Sequence, residues 1–198
     1  MTETIIGLLR HGQTDWNIDF RLQGTTDIPL NETGLAQAHE VGGHIRQADW
    51  DGIACSPLSR AVDTAEIVAE RTGLALVGVE PLLLERAFGV GEGLTYEQWR
   101  EQFHDLKEIP GGESLVELAD RCWLLLDHLA ASYRGKRILT VSHGALIRKV
   151  LELVSNYEVP REGERFKNAS LSVIHHTDEA GWRVLNYNPE TYLGESFN

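Results

Sequence analysis

The sequence predicts an α/β fold: a three-layer α/β/α sandwich with a mostly parallel central sheet. Short apolar runs typical of buried strands alternate with helical patterns along the 198 residues, and this alternation is typical of parallel sheets that are covered by helices on both faces. No internal repeat, low-complexity stretch or linker divides the chain. We therefore expect one domain over residues 1–198.

The first half of the chain contains three predicted strands and two predicted helices. In order, these are a strand at 5–9, a helix at 31–45, a strand at 52–55, a helix at 57–71 and a strand at 74–79. Residues 15–30 are rich in turn-forming residues and are predicted to be a loop. The helix at 31–45 has apolar residues at helical spacing, namely Leu35, Ala38, Val41 and Ile45. Gly73 is expected to end the helix at 57–71.

The second half contains two further helix–strand alternations and a terminal pair of strands. In order, these are helices at 95–103 and 114–133, a strand at 136–141, a helix at 145–154, and strands at 171–175 and 182–186. Ser114 is the predicted N-cap of the second of these helices, with Glu117 completing a capping box. Tyr96, Trp99 and Phe103 lie on one face of the first, which fits either core packing or the lining of a substrate pocket.

Composition limits the partners and the compartment. The formal net charge of −12 argues against nucleic acid and against an anionic membrane surface, since both attract basic proteins. Two cysteines, Cys55 and Cys122, do not suggest a disulfide framework. No stretch resembles a signal peptide or approaches the roughly 20 apolar residues of a membrane-spanning helix. We expect a cytoplasmic protein, and a homodimer is compatible with the sequence.

Polar and charged side chains stand where the predicted elements begin or end. Arg10 and His11 directly follow the first strand, and His143 follows the strand at 136–141. Arg60 lies near the start of a helix, and Glu85 lies just before a turn. Because ligands of parallel sheets bind beyond the carboxyl ends of the strands, we expect these five side chains to converge.

The residue types indicate a site for a phosphate group. A guanidinium group offers a planar fork of donors that matches phosphate oxygens, and an imidazole can titrate or attack near neutral pH. Gly144 begins a predicted helix, so we expect its first amides and its positive dipole end to favour an anion as well.

With these segments in this order, the chain resembles the histidine phosphatase family, also called the phosphoglycerate mutase-like superfamily. The resemblance rests on the Arg-His-Gly triplet at 10–12, the Ser-Pro-Leu-Ser-Arg-Ala segment at 56–61 and the Ser-His-Gly triplet at 142–144, and it covers residues 5–172. It implies the phosphoglycerate mutase-like fold and a phosphoric monoester hydrolase that uses no metal and no other cofactor. Its implied partner is a small phosphomonoester substrate.

The resemblance also implies a role for each site residue. His11 is the nucleophile that forms a phosphohistidine, and Glu85 protonates the leaving alkoxide and then helps to activate water. The phosphoryl oxygens are bound by Arg10, Arg60, His143 and Asn17. Further substrate contacts are expected at Gln23, Gly24, Arg86 and Gly144. For Arg86, a surface ion pair is the alternative interpretation.

Two other functions remain open. A cofactor-dependent phosphoglycerate mutase shares this catalytic set, but in that branch a longer insertion after the acid supplies paired arginines. Only 58 positions separate Glu85 from His143 here, and the one adjacent basic pair, Lys136-Arg137, starts a predicted strand. A non-catalytic binding protein would usually have lost one of the site residues.

Gly91 replaces an aromatic residue of many family members, which predicts a wider pocket.

Overall fold

The computed structural model describes residues 2–103 and 109–190. The described residues form a six-stranded sheet in the order β3-β2-β4-β1-β5-β6. Its strands are β1 (Glu3–Arg10), β2 (Gly52–Cys55), β3 (Leu76–Val79), β4 (Arg137–Ser142), β5 (Leu171–Thr177) and β6 (Gly181–Asn186).

The sheet is parallel in one part and antiparallel in the other. Strands β1 to β4 pair only in parallel with one another, whereas β5 runs antiparallel to β1, and β6 antiparallel to β5. Leu9 is paired with Val141 of β4 on one side and with Leu171 of β5 on the other. The first residue of β5 therefore lies at the same edge as the last residues of β1 and β4.

Helices cover both faces of this sheet, as predicted. They are α1 (Asp15–Ile18), α2 (Glu32–His44), α3 (Ser59–Thr72), α4 (Tyr96–Phe103), α5 (Leu115–Ser132) and α6 (Gly144–Val154). Because side chains alternate along a strand, Ile6 packs with α5 and α6 in one core cluster. Leu9, three residues further along β1, packs with α2 and α3 in the other. The predicted three-layer sandwich is confirmed.

The sequence pattern predicted each strand and the five longer helices to within two residues. Both predicted helix-terminal signals are also present. Ser114 and Glu117 form a reciprocal capping box at the start of α5, and Gly73 ends α3 in the left-handed conformation. The stretch at 15–30 is not all loop, because Thr14 caps the single turn α1 through the Asn17 amide.

Helix α2 packs through three of its four predicted apolar residues: Ala38 and Val41 are buried, and Ile45 packs against the core. Leu35 is 41% exposed and lies outside the core, whereas Gly34, Ala38, Val41 and Gly42 are buried. A Cβ built on Gly42 would lie 2.9 Å from the Arg71 Cβ of α3. The two helices therefore approach closely at a glycine.

None of the helices within residues 2–103 and 109–190 has both the length and the apolar character needed to cross a bilayer.

Candidate active site

A cavity of about 1060 Å³ opens at the sheet edge where β1 and β4 end and β5 begins. Eight of the ten predicted site residues line it: Arg10, His11, Asn17, Gln23, Gly24, Arg60, Glu85 and Gly144. His143 lies directly behind His11, with 5.1 Å between the ring centroids. The convergence that the sequence predicted is thus present, with Arg86 as the exception.

His11 is held as a neutral imidazole with one nitrogen committed. Its ring is buried, and Nδ1 lies 2.6 Å from the Gly12 carbonyl oxygen. Nδ1–H therefore donates to that carbonyl, which leaves the Nε2 lone pair for reaction. Burial lowers the pKa of His11 well below its usual value, and the charges of Arg10 and Arg60 lower it further. At neutral pH this histidine is unprotonated, as a nucleophile must be.

His143 is fully buried and is oriented by a hydroxyl group. Its Nε2 lies 2.7 Å from Ser56 Oγ, and the Leu58 amide donates to the same oxygen at 3.4 Å. The Ser56 hydroxyl proton is then donated to Nε2, so Nδ1 of His143 carries the ring proton. Burial lowers the pKa of His143 well below its usual value, with His11 and Arg60 adding to the effect.

Arg60 is a buried cation and Arg10 a partly buried one, and the guanidinium groups of both are only partly used by the protein. Arg60 is fully buried and donates to the Thr26 and Gly24 carbonyl oxygens at 2.9 and 2.8 Å. Arg10 donates from Nη1 to the Phe166 carbonyl oxygen. Burial lowers the pKa of Arg10 to about 10, with Glu85 opposing this and Arg60 adding to it. Arg10 is charged at neutral pH, and the hydrogen bonds to these three carbonyl oxygens use three of the ten N–H groups of the pair.

Unpaired buried polar atoms are concentrated at this site. In the part of the chain that the structure describes, four buried side-chain atoms find no hydrogen-bond partner: Arg10 Nε, Arg60 Nε, His143 Nδ1 and Gln23 Oε1. Buried polar atoms are nearly always paired in folded proteins. All four belong to predicted site residues, and three of them are donors. The site is therefore built to receive an acceptor-rich ligand.

Gly24 shapes the loop that holds Arg60. Its φ of +56° lies in the left-handed region, and a Cβ there would come within 2.0 Å of Glu92 Oε1. Glu92 accepts hydrogen bonds from the amides of Thr25, Thr26 and Phe88. Glu92 was not predicted from the sequence.

Asn17 is oriented by a second asparagine. Its Oδ1 accepts from the Thr14 amide at 3.0 Å and from Asn168 Nδ2 at 3.1 Å. The Asn17 amide nitrogen is thereby turned away from these donors and is available as a neutral donor in the cavity. Asn168 also donates to the carbonyl oxygens of His11 and Gly12. It precedes β5, and sequence reasoning missed it.

Glu85 occupies the helix end that we expected to bind the anion. Glu85 Oε2 accepts from the Ala145 amide at 3.1 Å, and Oε1 from the Leu146 amide at 3.0 Å. Glu85 thus caps α6, whose N-cap residue His143 makes no side-chain cap bond. The prediction that the first amides of α6 face an anion is wrong for these two amides. Gly144 does line the cavity.

Arg86 and Gly91 depart from their predicted settings. Arg86 is buried, donates to the Glu113 carbonyl oxygen at 2.8 Å and lies over the Phe88 ring. It is neither a cavity-lining residue nor on the surface.

A Cβ on Gly91 would lie 2.8 Å from the Trp99 ring. Trp99 therefore fills the space beside Gly91, and the predicted widening of the pocket is wrong.

The cavity mouth is aromatic and basic. Trp16, Phe20 and Tyr96 line it, and Phe20 is 66% exposed with a left-handed φ of +53°. Three basic residues from the second half of the chain also line it: Arg148, Arg165 and Lys167. Of the predicted aromatic stripe, Trp99 is fully buried and stacks on Phe103, whereas Tyr96 faces the cavity. Both readings of that helix are therefore correct in part.

Comparison with known proteins tests the family. The model of the histidine phosphatase superfamily (branch 1) matches residues 6–190. The chain belongs to this superfamily. The predicted membership and the prediction of a phosphatase enzyme are thereby confirmed.

Relatives in the superfamily carry both phosphatase and mutase names. The chain is 40% identical over 190 residues to "Uncharacterized phosphatase PhoE" of Bacillus subtilis (strain 168), covering 96% of this chain and 97% of that protein. It is 36% identical over 201 residues to "Probable phosphoglycerate mutase GpmB" of Yersinia pestis (strain Pestoides F), covering 94% and 93%. The solved structure of a mycobacterial glucosyl-3-phosphoglycerate phosphatase superposes with a TM-score of 0.80 at 30% identity, covering 94% and 99%.

Proposed function

We propose that this histidine phosphatase is a metal-independent phosphomonoesterase that acts on a small phosphorylated metabolite through a phosphohistidine at His11. The observation that carries the proposal is the set of unpaired buried donors on Arg10, Arg60 and His143 around a neutral His11. A phosphoryl group spreads charge over three equatorial oxygens in its transition state. Donors fixed before the substrate arrives stabilise that charge without reorganisation.

In the first step the ester bond is exchanged for a phosphorus–nitrogen bond. The Nε2 lone pair of His11 attacks phosphorus while the bond to the leaving oxygen breaks. Glu85 enters this step as the carboxylic acid and gives its proton to the leaving oxygen, so the product departs as an alcohol. The two arginines and His143 hold the three equatorial oxygens.

In the second step water replaces histidine on phosphorus. The Glu85 carboxylate accepts a proton from the water, the oxygen of which attacks phosphorus as the bond to Nε2 of His11 breaks. Inorganic phosphate leaves, and both side chains return to their starting states. The Gly12 carbonyl keeps the Nδ1 proton of His11 in place throughout, so the same nitrogen is regenerated.

The size and lining of the cavity support this substrate class. Its volume of about 1060 Å³ exceeds what a phosphate group needs, and its mouth offers aromatic rings and cations. A phosphorylated sugar, a glycerate derivative or a nucleotide-like ester fits this description. One relative is named as a glucosyl-3-phosphoglycerate phosphatase, which agrees with an acidic sugar-containing ester.

A cofactor-dependent phosphoglycerate mutase is the second candidate. The additional cations Arg148, Arg165 and Lys167 at the cavity favour it, because a bisphosphate intermediate needs extra positive charge. Against it, Lys167 pairs with Glu190 at 2.6 Å. The adjacent pair Lys136-Arg137 lies at the start of β4, at the opposite end of that strand from His143.

A phosphate-release assay tests the proposal and separates it from the alternatives. Purified protein with EDTA would be offered a panel of phosphomonoesters, with His11→Ala as the test variant and His39→Ala, on the exposed face of α2, as the control. We expect release by the wild type and the control and none by His11→Ala. Isomerisation of 3-phosphoglycerate that depends on bisphosphoglycerate, with little release, would support the mutase. No turnover of any ester would support a binding protein.

A further inference from the structure

The segment that carries Glu85 is fixed from outside along most of its length. Residues 82–87, here called the Glu85 segment, include the last two residues of the short 3-10 helix Pro81–Leu83 and lead from it to the cavity. An irregular stretch has no regular ladder of backbone hydrogen bonds, so its carbonyl groups need hydrogen-bond donors from other parts of the chain. The Ser142 hydroxyl donates to the Leu83 carbonyl at 2.8 Å, and the Glu113 amide donates to the Ala87 carbonyl at 2.8 Å.

Arg121 of α5 supplies the central part of this support. Its Nη1 donates to the Leu82 and Leu84 carbonyl oxygens at 2.9 and 2.8 Å, and its Nη2 lies 3.4 Å from the Glu85 carbonyl oxygen. One planar guanidinium therefore binds three carbonyl oxygens, including that of Glu85 itself. A guanidinium fork is rigid, so these contacts fix the direction as well as the position of the backbone.

Glu113 locks Arg121 in place. Its two carboxylate oxygens accept from Nε and Nη2 of Arg121, each at 2.7 Å. The two side chains are only 18% and 15% exposed. Burial alone would lower the pKa of Arg121, but the hydrogen bonds and the charge of Glu113 outweigh it and raise that pKa. The pair is a bidentate, charge-assisted contact of the strongest kind.

From this geometry we infer that Arg121, held by Glu113, is a positioning residue for the general acid. The inference rests on the proposed function, in which Glu85 protonates the leaving oxygen. Arg121 does not line the cavity, so its effect on catalysis passes through the Glu85 backbone. A general acid must lie within hydrogen-bond reach of its target, and a displacement of about 1 Å can cost about 100-fold in rate.

Leaving-group dependence distinguishes a positioning role from a merely structural one. p-Nitrophenolate departs without protonation, whereas the alkoxide of glycerol 3-phosphate needs the acid. The comparison uses kcat/KM, because it reports the steps up to leaving-group departure and not the later hydrolysis of the phosphohistidine. The variants are Arg121→Met and the matched control Arg134→Met, whose arginine forms an exposed pair with Asp178 far along the chain.

For Arg121→Met we expect kcat/KM to fall at least about 10-fold more for glycerol 3-phosphate than for p-nitrophenyl phosphate. The ratio of kcat/KM for glycerol 3-phosphate to kcat/KM for p-nitrophenyl phosphate should stay within about 2-fold of wild type in Arg134→Met. Glu113→Gln keeps the shape of the side chain but removes the negative charge that holds Arg121. It should therefore shift the ratio in the same direction as Arg121→Met and to a smaller extent. It also serves as the test should Arg121→Met fail to fold. The two changes together should shift the ratio by less than the product of their separate effects, since they act through one contact.

Equal losses of kcat/KM on both esters in folded Arg121→Met and Glu113→Gln, which leave the ratio of the two values unchanged, would overturn the inference. Failure of the wild type to release phosphate from these two esters and from every other ester of the panel would instead contradict the proposed function. The two failures are thus distinguishable in one data set.

Discussion

Ser56 Oγ lies 2.7 Å from Nε2 of His143, and both side chains are fully buried beside the reacting histidine. The hydroxyl selects the tautomer in which Nδ1 of His143 carries the proton and can donate to a phosphoryl oxygen. Replacing Ser56 by alanine removes this selection and leaves Nε2 buried without a partner. We expect Ser56→Ala to lower kcat/KM about 10-fold or more, measured by steady-state phosphate release.

Ser59→Ala is the matched control for this variant. Ser59 lies three residues further along the same segment, and its hydroxyl donates to Asp27 rather than to a site residue. It should retain nearly all activity. A Ser56→Ala protein as active as Ser59→Ala would show that the orientation of His143 does not depend on the hydroxyl.

Glu85→Gln tests the general acid directly. Glutamine keeps the size of the side chain but has no acidic proton to transfer. We expect kcat/KM to fall by about 100-fold or more for alkyl phosphates and by only a few-fold for p-nitrophenyl phosphate. A series of phenyl and alkyl phosphates of graded leaving-group pKa would give the slope. Similar losses across the whole series would refute the assignment.

Gly24→Ala should damage both stability and activity. The left-handed φ of +56° costs a non-glycine residue about 1–2 kcal/mol, and the new Cβ would collide with Glu92. The Gly24 carbonyl also accepts from Arg60, so kcat/KM should fall as well. Gly181→Ala is the control, because Gly181 has a φ of +68° but no atom within 4 Å of its Cβ position.

Urea unfolding of both variants separates the two causes. Gly181→Ala should lose only the conformational cost of about 1–2 kcal/mol and keep full activity. Gly24→Ala should lose more. If the two proteins were equally stable and equally active, the collision with Glu92 would be of no consequence.

The buried histidines predict a loss of stability in acid. The pKa values of His11 and His143 lie well below 6.5 in the folded protein, whereas the unfolded chain takes up these protons near pH 6.5. Their contribution is therefore complete above about pH 6.5 and is lost as the pH falls, by up to about 1.4 kcal/mol per pH unit for each histidine. The free energy of unfolding in urea would be measured between pH 7.5 and 5.

His143→Gln removes one of the two groups, so its stability should fall less steeply with acid than that of the wild type. His39→Gln, on the exposed face of α2, is the control and should follow the wild type. Parallel curves for all three proteins would contradict the link between burial of His143 and acid sensitivity.

Much of the fold could be predicted because its pattern is local. Strand and helix boundaries follow from apolar spacing, caps and glycines, and these signals lie within a few residues of each boundary. The residues directly after parallel strands, such as His11 and His143, could likewise be placed at one sheet edge. The burial of Leu35 was predicted wrongly, because helical spacing shows which residues share a face and does not show how much of that face the neighbouring elements cover.

The rest of the site depends on relationships that are distant in the sequence. Because β5 runs antiparallel to β1, residues that precede β5 reach the same edge as residues that follow β1. Asn168, Arg165 and Lys167 were therefore missed, since strand position alone predicted only the residues that follow parallel strands. Arg121 was missed because it contacts main-chain carbonyls 36 to 39 positions away. Every residue type carries a backbone carbonyl, so the sequence does not indicate which of them accept a hydrogen bond.

Trapping the covalent intermediate tests the central claim most directly. The enzyme would be mixed rapidly with p-nitrophenyl phosphate and quenched in alkali, in which phosphohistidine survives, and its peptides would be analysed by mass spectrometry. We predict one phosphoryl group on His11 in the wild type and in His39→Ala, and none in His11→Ala. Phosphate release without any labelled histidine, or labelling of a residue other than His11, would contradict the account.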